Sequence, residues 1–370
     1  MRAEHRALCL AARTQVEGDD EPRLVDFLSR PLDWERLWAE AARHEVLPLV
    51  AATVRRLGDR VGPPAVWAAR AERQRYATLL RNTGLAAALV EVGSAFREAG
   101  VESLAVKGIA LAESVYGDLA LRPAADVDIL VRPADLPAAR SVLLSLGFDH
   151  RSEPLGDEWA HSHHDEPYFR RSARGEVCLE LHWALWPAAR FRADPGVWER
   201  TRPLQVRGSM LRTLSPEDTL LHLAIHRTRA PLRLRSVCDV AELVRREGSK
   251  LDWEAVETRA ATIGARTALF SVLALSQRLL GAPVPPGVVA RLRVGPLRRR
   301  ILEPASGAAA LFAPAPAAPV RRQVRTGLRA FEHDGVRAIA RTLGRRAAQK
   351  GDRLLDARPP HGRLEHRVAG

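Results

Sequence analysis

The six residues DVDILV, Asp126–Val131, constrain this chain more than any other stretch of it. Side chains alternate across an extended strand, so Asp126 and Asp128 emerge on one face and Val127, Ile129 and Val131 on the other. The apolar face asks for a core. The opposite face then brings two carboxylates together, and burying two like charges is costly unless a cation neutralises them. Carboxylate oxygens are hard ligands that suit Mg²⁺ or Mn²⁺. An acidic strand edge exposed to water is the plainer reading, and the flanking Ile-Leu-Val argues against it.

The surroundings of this strand read as a small α/β unit. VESLAV (Val101–Val106) is an apolar run of strand length, and KGIALAESVYGD follows as a turn and helix. PADLPAARSVLLSLGF reads as an amphipathic helix with Pro133 near its start and Gly147 at its end. HDEPYFRR and GEVCLELHWAL read as two strands joined by the turn Ser172–Gly175. The order β-α-β-α-β-β predicts a mixed sheet.

Two further groups join the aspartates. In VCLELHW, alternation puts Cys178, Glu180 and His182 on one face and the apolar residues on the other. If that strand runs beside DVDILV, three carboxylates converge, enough to hold the paired divalent ions of phosphoryl-transfer chemistry. His182 shares the face of Glu180 and is expected to orient it. Lys107-Gly108 stands where a strand hands over to a helix. A glycine there lets a phosphate approach free backbone N–H groups, and Lys107 adds positive charge.

Several more residues carry two readings each. Arg122 precedes the acidic strand and either reaches a phosphate or anchors the loop through an ion pair. Tyr116 is expected to pack between helix and sheet. His161, His163, His164, Asp165 and Glu166 lack the spacing of a zinc site and read as a solvent-facing loop bordering an acceptor cleft. His222 and His226, four apart, read as a buried polar helix face that hydrogen-bonds other helices. Arg235 and Asp239, also four apart, are expected to pair along one helix.

Helical patterns flank the unit. DWERLWAEAARHEVLPLVAATVRRL and a long Ala/Leu/Arg stretch after Pro63-Pro64 precede it. After about Pro203, LSPEDTLLHLAIHRTR opens with Ser215 as cap, Pro216 at the first helical position and Asp218 three residues after the cap. The expected division is an N-terminal helical region (1–95), an α/β core (96–205), a C-terminal helical bundle (206–310), and a Pro/Ala linker with a basic tail (311–370). Of the formal net charge of +13, residues 291–370 carry 18 Lys/Arg against 6 Asp/Glu, so the first 290 residues are close to neutral. The excess reads as a solvated arm or as an arm for nucleic acid or an acidic partner, and its only aromatics are Phe312 and Phe331. Three scattered cysteines exclude a disulfide framework and suit a cytoplasmic setting. The N-terminus makes a poor signal peptide, and no apolar run is long enough to span a membrane.

SLAVKGIALAESVYGDLALRPAADVDILV followed by VCLELHWAL resembles the bacterial uncharacterised nucleotidyltransferase family of the polymerase-beta-like superfamily. The resemblance extends more weakly over roughly residues 30–285. It implies an α+β fold, a small mixed-sheet nucleotidyltransferase core flanked by helical regions. It also implies that Asp126, Asp128 and Glu180 are catalytic metal ligands for Mg²⁺ or Mn²⁺. Lys107 and Gly108 then meet the phosphates of an NTP, with Arg122 nearby. The acceptor, whether small molecule, peptide or protein, is not specified. Gly108 is followed by Ile109, where the superfamily carries Ser or Gly. That departure leaves open a degenerate nucleotide-binding protein. Two rival functions stand beside it: a nucleic-acid-associated protein acting through the basic tail, and a phosphohydrolase using the same acids.

Overall fold

The computed structural model describes residues 2–16, 18, 20–151, 164–172, 175–186, 191–229, 232–292, 294–296 and 308–313. Five helices lead in: α1 (Ala3–Ala11), α2 (Asp20–Ser29), α3 (Trp34–Arg43), α4 (Leu47–Leu57) and α5 (Ala65–Glu98). Pro64 caps α5, which runs for 34 residues without a proline. The sheet strands are β1 (Ser103–Val106), β2 (Val127–Val131), β3 (Asp149–His150), β4 (Asp165–Ser172), β5 (Gly175–His182), β6 (Arg202–Val206) and β7 (Ser209–Thr213). Helices α6 (Gly108–Leu111) and α7 (Leu136–Ser145) lie within this part of the chain. The bundle follows as α8 (Pro216–Arg229), α9 (Leu234–Glu247), α10 (Trp253–Ile263) and α11 (Arg266–Leu280).

The architecture is α+β around one mixed sheet of order β3-β4-β5-β2-β1-β7-β6. β1 and β2 are antiparallel, β2 and β5 parallel, and β7 joins β1 in parallel. One sheet face carries Val127, Ile129, Leu179 and Leu181 and packs against α5 and α7. Leu85, Leu89, Val92 and Phe96 of α5 recur at helical spacing and close that core. The other face carries Leu104, Val106 and Leu130 and shares its core with the bundle and the N-terminal helices. α5 is therefore part of the core layer, although the sequence assigned residues 1–95 to a separate helical region.

The sheet also runs past residue 205. Arg207 and Gly208 both take positive φ (50° and 82°), the two-residue turn that suits the twist of a hairpin. β6 and β7 pair through it where the sequence pattern suggested returning helix. Ser215 caps α8 as expected, accepting from Asp218 N at 3.1 Å. No helix among the described residues is long and apolar enough to cross a membrane. The expectations for residues 314–370, and for His161 and His163, fall outside the described residues.

Candidate active site

β2 supplies the first acids. Asp128 lies within the strand and is buried; Asp126 stands just before it and is half-buried. The parallel register sets Asp128 opposite Glu180 and Leu130 opposite His182. In parallel strands such partners share a face, so Glu180 and His182 come beside Asp128. A carboxylate oxygen from Asp128, one from Glu180 and a ring nitrogen of His182 lie within 4.8 Å of one another. Asp126 is not in this tight group, whereas His182, expected from the sequence to orient Glu180, is.

β1 delivers the counter-charge. It runs antiparallel to β2 with Val106 opposite Asp128, so its end delivers Lys107 to the acids. Lys107 Nζ is 2.6 Å from Asp128 Oδ1 and 3.6 Å from Glu180 Oε2. Burial works against the charge on Lys107, but Asp128 and then Glu180 outweigh it and raise its pKa. Burial likewise opposes ionisation of Asp128, yet Lys107 and His182 hold its carboxyl well below the usual range. His182 Nε2 is 3.1 Å from Asp128 Oδ1 and 3.5 Å from Glu180 Oε2. Burial and Lys107 disfavour the imidazolium, and the two carboxylates more than restore it, so its pKa is raised. Asp126 moves the other way from Asp128: burial, then the charges of Asp128 and Glu180, push its carboxyl up to about 6. Three acids thus face one ammonium and one histidine.

Gly108 owes its identity to close approach. A Cβ there would sit 3.2 Å from the Asp126 carbonyl and 3.3 Å from Asp128 Oδ2. The helix it opens is only four residues long and continues as a π turn over Ala112–Tyr116.

Arg122 takes the ion-pair reading. Its Nε and Nη2 donate to the two carboxylate oxygens of Asp239 at 2.7 and 2.9 Å, and Nη1 donates to the Gly108 carbonyl at 3.2 Å. The guanidinium is buried at 6% exposure, and these three donors face protein oxygens. Tyr116 packs as expected and adds its hydroxyl, donating to Asp239 Oδ1 at 2.8 Å. The expected Arg235–Asp239 pair does not form, because Asp239 faces Arg122 while Arg235 meets Glu45 at 2.9 Å.

Sequence reasoning missed the residues that hold the loop ahead of β2. Asn82 of α5, fully buried, donates to the carbonyls of Leu119 (2.6 Å) and Arg122 (2.8 Å) and accepts from Ala124 N at 3.2 Å. Arg81 donates to the carbonyls of Ala124 and Ala125 at 3.1 and 2.7 Å. The available signal was an asparagine at helical spacing from Leu85, Ala86 and Leu89.

The histidine readings also change. His164 and Glu166 are 3% exposed and Asp165 opens β4, so the described part of this run, residues 164–166, is packed structure. Glu166 binds Arg140 through two contacts of 2.8 Å. His222 is buried, but neither ring nitrogen has a hydrogen-bond partner among the described residues, against the expectation that it bonds other helices.

No curated protein matches this chain. Two solved structures are similar at 15% identity. The antibiotic-resistance factor ANT(2'')-Ia has a TM-score of 0.33, with 47% of this chain and 89% of that one covered. An antigenic nucleotidyltransferase-like protein from Paracoccidioides brasiliensis has a TM-score of 0.35, with 55% and 95% covered. Residues 30–281 match the family described as "Uncharacterised nucleotidyltransferase", and with more than half of its length inside that match the chain belongs to this family.

Proposed function

We propose that the chain moves a nucleoside monophosphate from an NTP to an acceptor hydroxyl or phosphate, with Mg²⁺ or Mn²⁺ held by Asp126, Asp128 and Glu180. The observation that carries this reading is the β2–β5 register, which sets Asp128 opposite Glu180 in a chain of a nucleotidyltransferase family. The donor set fits a divalent cation. Asp126 is pushed up to about 6 by burial and by its acidic neighbours, and a cation among the three acids would relieve that imbalance. When bound, the ion supplies Lewis-acid and electrostatic stabilisation to the phosphates.

The chain's own residues then divide the remaining work. Lys107, now paired with Asp128, is the group that meets a phosphate oxygen beside Gly108. His182 holds the orientation of Asp128 and Glu180 through its Nε2. Arg122 fixes the turn by donating to the Gly108 carbonyl. No covalent nucleophile is required, since positioning and charge stabilisation supply most of such catalysis.

The proposal extends to a bacterial branch of the polymerase-beta-like superfamily and to a cytoplasmic location, the latter supported by free Cys9, Cys178 and Cys238. It keeps the fourfold division of the chain, with the core lengthened to Thr213 to include its last strand. Binding without turnover is the second reading. Its support is the Lys107 ammonium, 2.6 Å from Asp128, supplying the positive charge at the acids. A screen of the four NTPs with Mg²⁺ or Mn²⁺, following pyrophosphate release with candidate acceptors, separates the two. Metal-dependent release supports transfer. NTP binding with no release under any condition supports the degenerate reading.

A further inference from the structure

We propose a second cation site, formed by His164, Asp165 and His182, that takes a transition-metal ion of the zinc class. The antiparallel register of β4 and β5 sets Asp165 opposite His182. His164 immediately precedes β4, and its carbonyl accepts from Trp183 N at 3.0 Å, which fixes its backbone beside the end of β5. One ring nitrogen from each histidine and one Asp165 oxygen lie within 4.8 Å of one another. His164 Nδ1 is 3.1 Å, and His182 Nδ1 3.8 Å, from Asp165 Oδ2. Donors around a tetrahedral zinc-like ion with bonds of about 2.0–2.1 Å stand about 3.4 Å apart. The two distances bracket that spacing.

A second observation points to a ligand. His182 is 1% exposed, and its Nδ1 has no hydrogen-bond partner among the described residues. Its Nε2 faces the other way, 3.1 Å from Asp128. Nδ1 is directed toward the Asp165 carboxylate, 3.8 Å away. A cation beside Nδ1 would supply the partner that this buried nitrogen lacks among the described residues. A metal ion on Nδ1 leaves the ring proton on Nε2, where Asp128 accepts it.

The donors differ from those of the neighbouring acids. Two imidazoles and one carboxylate suit borderline ions such as Zn²⁺ and Co²⁺, whereas a set of carboxylates alone suits Mg²⁺. His182 joins the two centres through its opposite nitrogens, so the second ion acts on the first through the ring's orientation. This inference stands on the histidine geometry and does not depend on nucleotidyl transfer.

The test uses the full chain with any affinity tag removed, stripped by chelator and titrated with Co²⁺, then with Zn²⁺. The expected result is one equivalent that carries the visible absorption of nitrogen-ligated Co²⁺, apart from any ion on the three acids, and that Zn²⁺ displaces. His164→Ala and Asp165→Ala each weaken that binding by about tenfold or more, while Glu180→Gln retains it. Circular dichroism checks that the variants fold, and the wild-type titration decides the matter without them. No such absorption in the wild type, or equal affinity in the His164→Ala and Asp165→Ala variants, overturns the site. Loss of nucleotidyl transfer alone bears on the other centre only.

Discussion

Lys107 takes φ 49° and ψ −134°, a conformation that non-glycine residues rarely adopt. Such strain persists where the surroundings over-determine it, and here the ammonium is held by Asp128 while a Cβ on the next residue would press on the Asp126 carbonyl and Asp128. Gly108→Ala is therefore expected to destabilise by about 1–3 kcal/mol, since the Asp126 carbonyl and Asp128 must shift. It should also weaken metal binding. Thermal unfolding and Mn²⁺ titration check both, and a variant equal to wild type in each would contradict the close approach. Asp126 gives a pH signature. A cation binds its ionised form, and its carboxyl sits at about 6, so affinity falls as pH drops through that value. Mn²⁺ titrations between about pH 5 and pH 7 should show this slope, and Asp126→Asn should flatten it. An unchanged slope in the variant would remove Asp126 from the site. At this scale the sequence was informative for acids on strands, because alternation is a local rule. It left Arg122 between a phosphate and an ion pair, because the partner Asp239 lies 117 residues away.

Elements are tied together by a few buried polar groups. Arg122, Asp239 and Tyr116 join the loop before β2 to α9. Asp239→Ala leaves the guanidinium buried without its carboxylate and should cost about 3–5 kcal/mol, read as a lower denaturation midpoint. A cost below about 1 kcal/mol would mean solvent reaches Arg122. His44 joins the N-terminal helices to the same bundle: its Nδ1 accepts from Leu234 N, the first residue of α9, at 3.1 Å. Burial, with help from Arg43, pushes His44 down to about 3. An unfolded histidine titrates near about 6.5, so between these values the unfolded chain binds more protons. Stability then falls as pH drops below about 6.5, by up to about 1.4 kcal/mol per pH unit. Urea midpoints at about pH 7 and about pH 5 should fall further for wild type than for His44→Asn. Parallel losses would show that His44 does not titrate this way. The core strands β1, β2, β4 and β5 were legible because apolar runs and turns marked them. The hairpin β6–β7 was not read, although Arg207-Gly208 between two alternating runs was its signal.

At the scale of the molecule, the sheet is enclosed by helices from both ends of the chain. The α+β class and the flanking helices followed from the sequence. The role of α5 as a layer of the core did not, because its Ala/Leu/Arg pattern shows a helix without naming what it packs on. Leu311 is buried, and Phe312 stacks on His5 with ring centres 4.2 Å apart. A cut that removes the basic tail therefore belongs after Ala313. The shortened chain should fold and keep its saturating rate, while its association with an acidic acceptor loses salt dependence. A folded truncation with a much lower saturating rate would mean that the tail enters the site.

Asp126 and Asp128 at β2, with Glu180 on β5, are proposed to support metal-dependent transfer from an NTP. The direct measurement is pyrophosphate release by the full chain with each NTP, with and without Mg²⁺ or Mn²⁺, beside Asp128→Asn. Asp128→Asn keeps the shape but takes the carboxylate from buried Lys107, so its unfolding temperature should fall, and circular dichroism checks that the variant is folded under the assay conditions. Release should need the cation and fall by roughly 10³-fold in this folded variant. Release that persists without the cation, or at wild-type rate in Asp128→Asn, would contradict it.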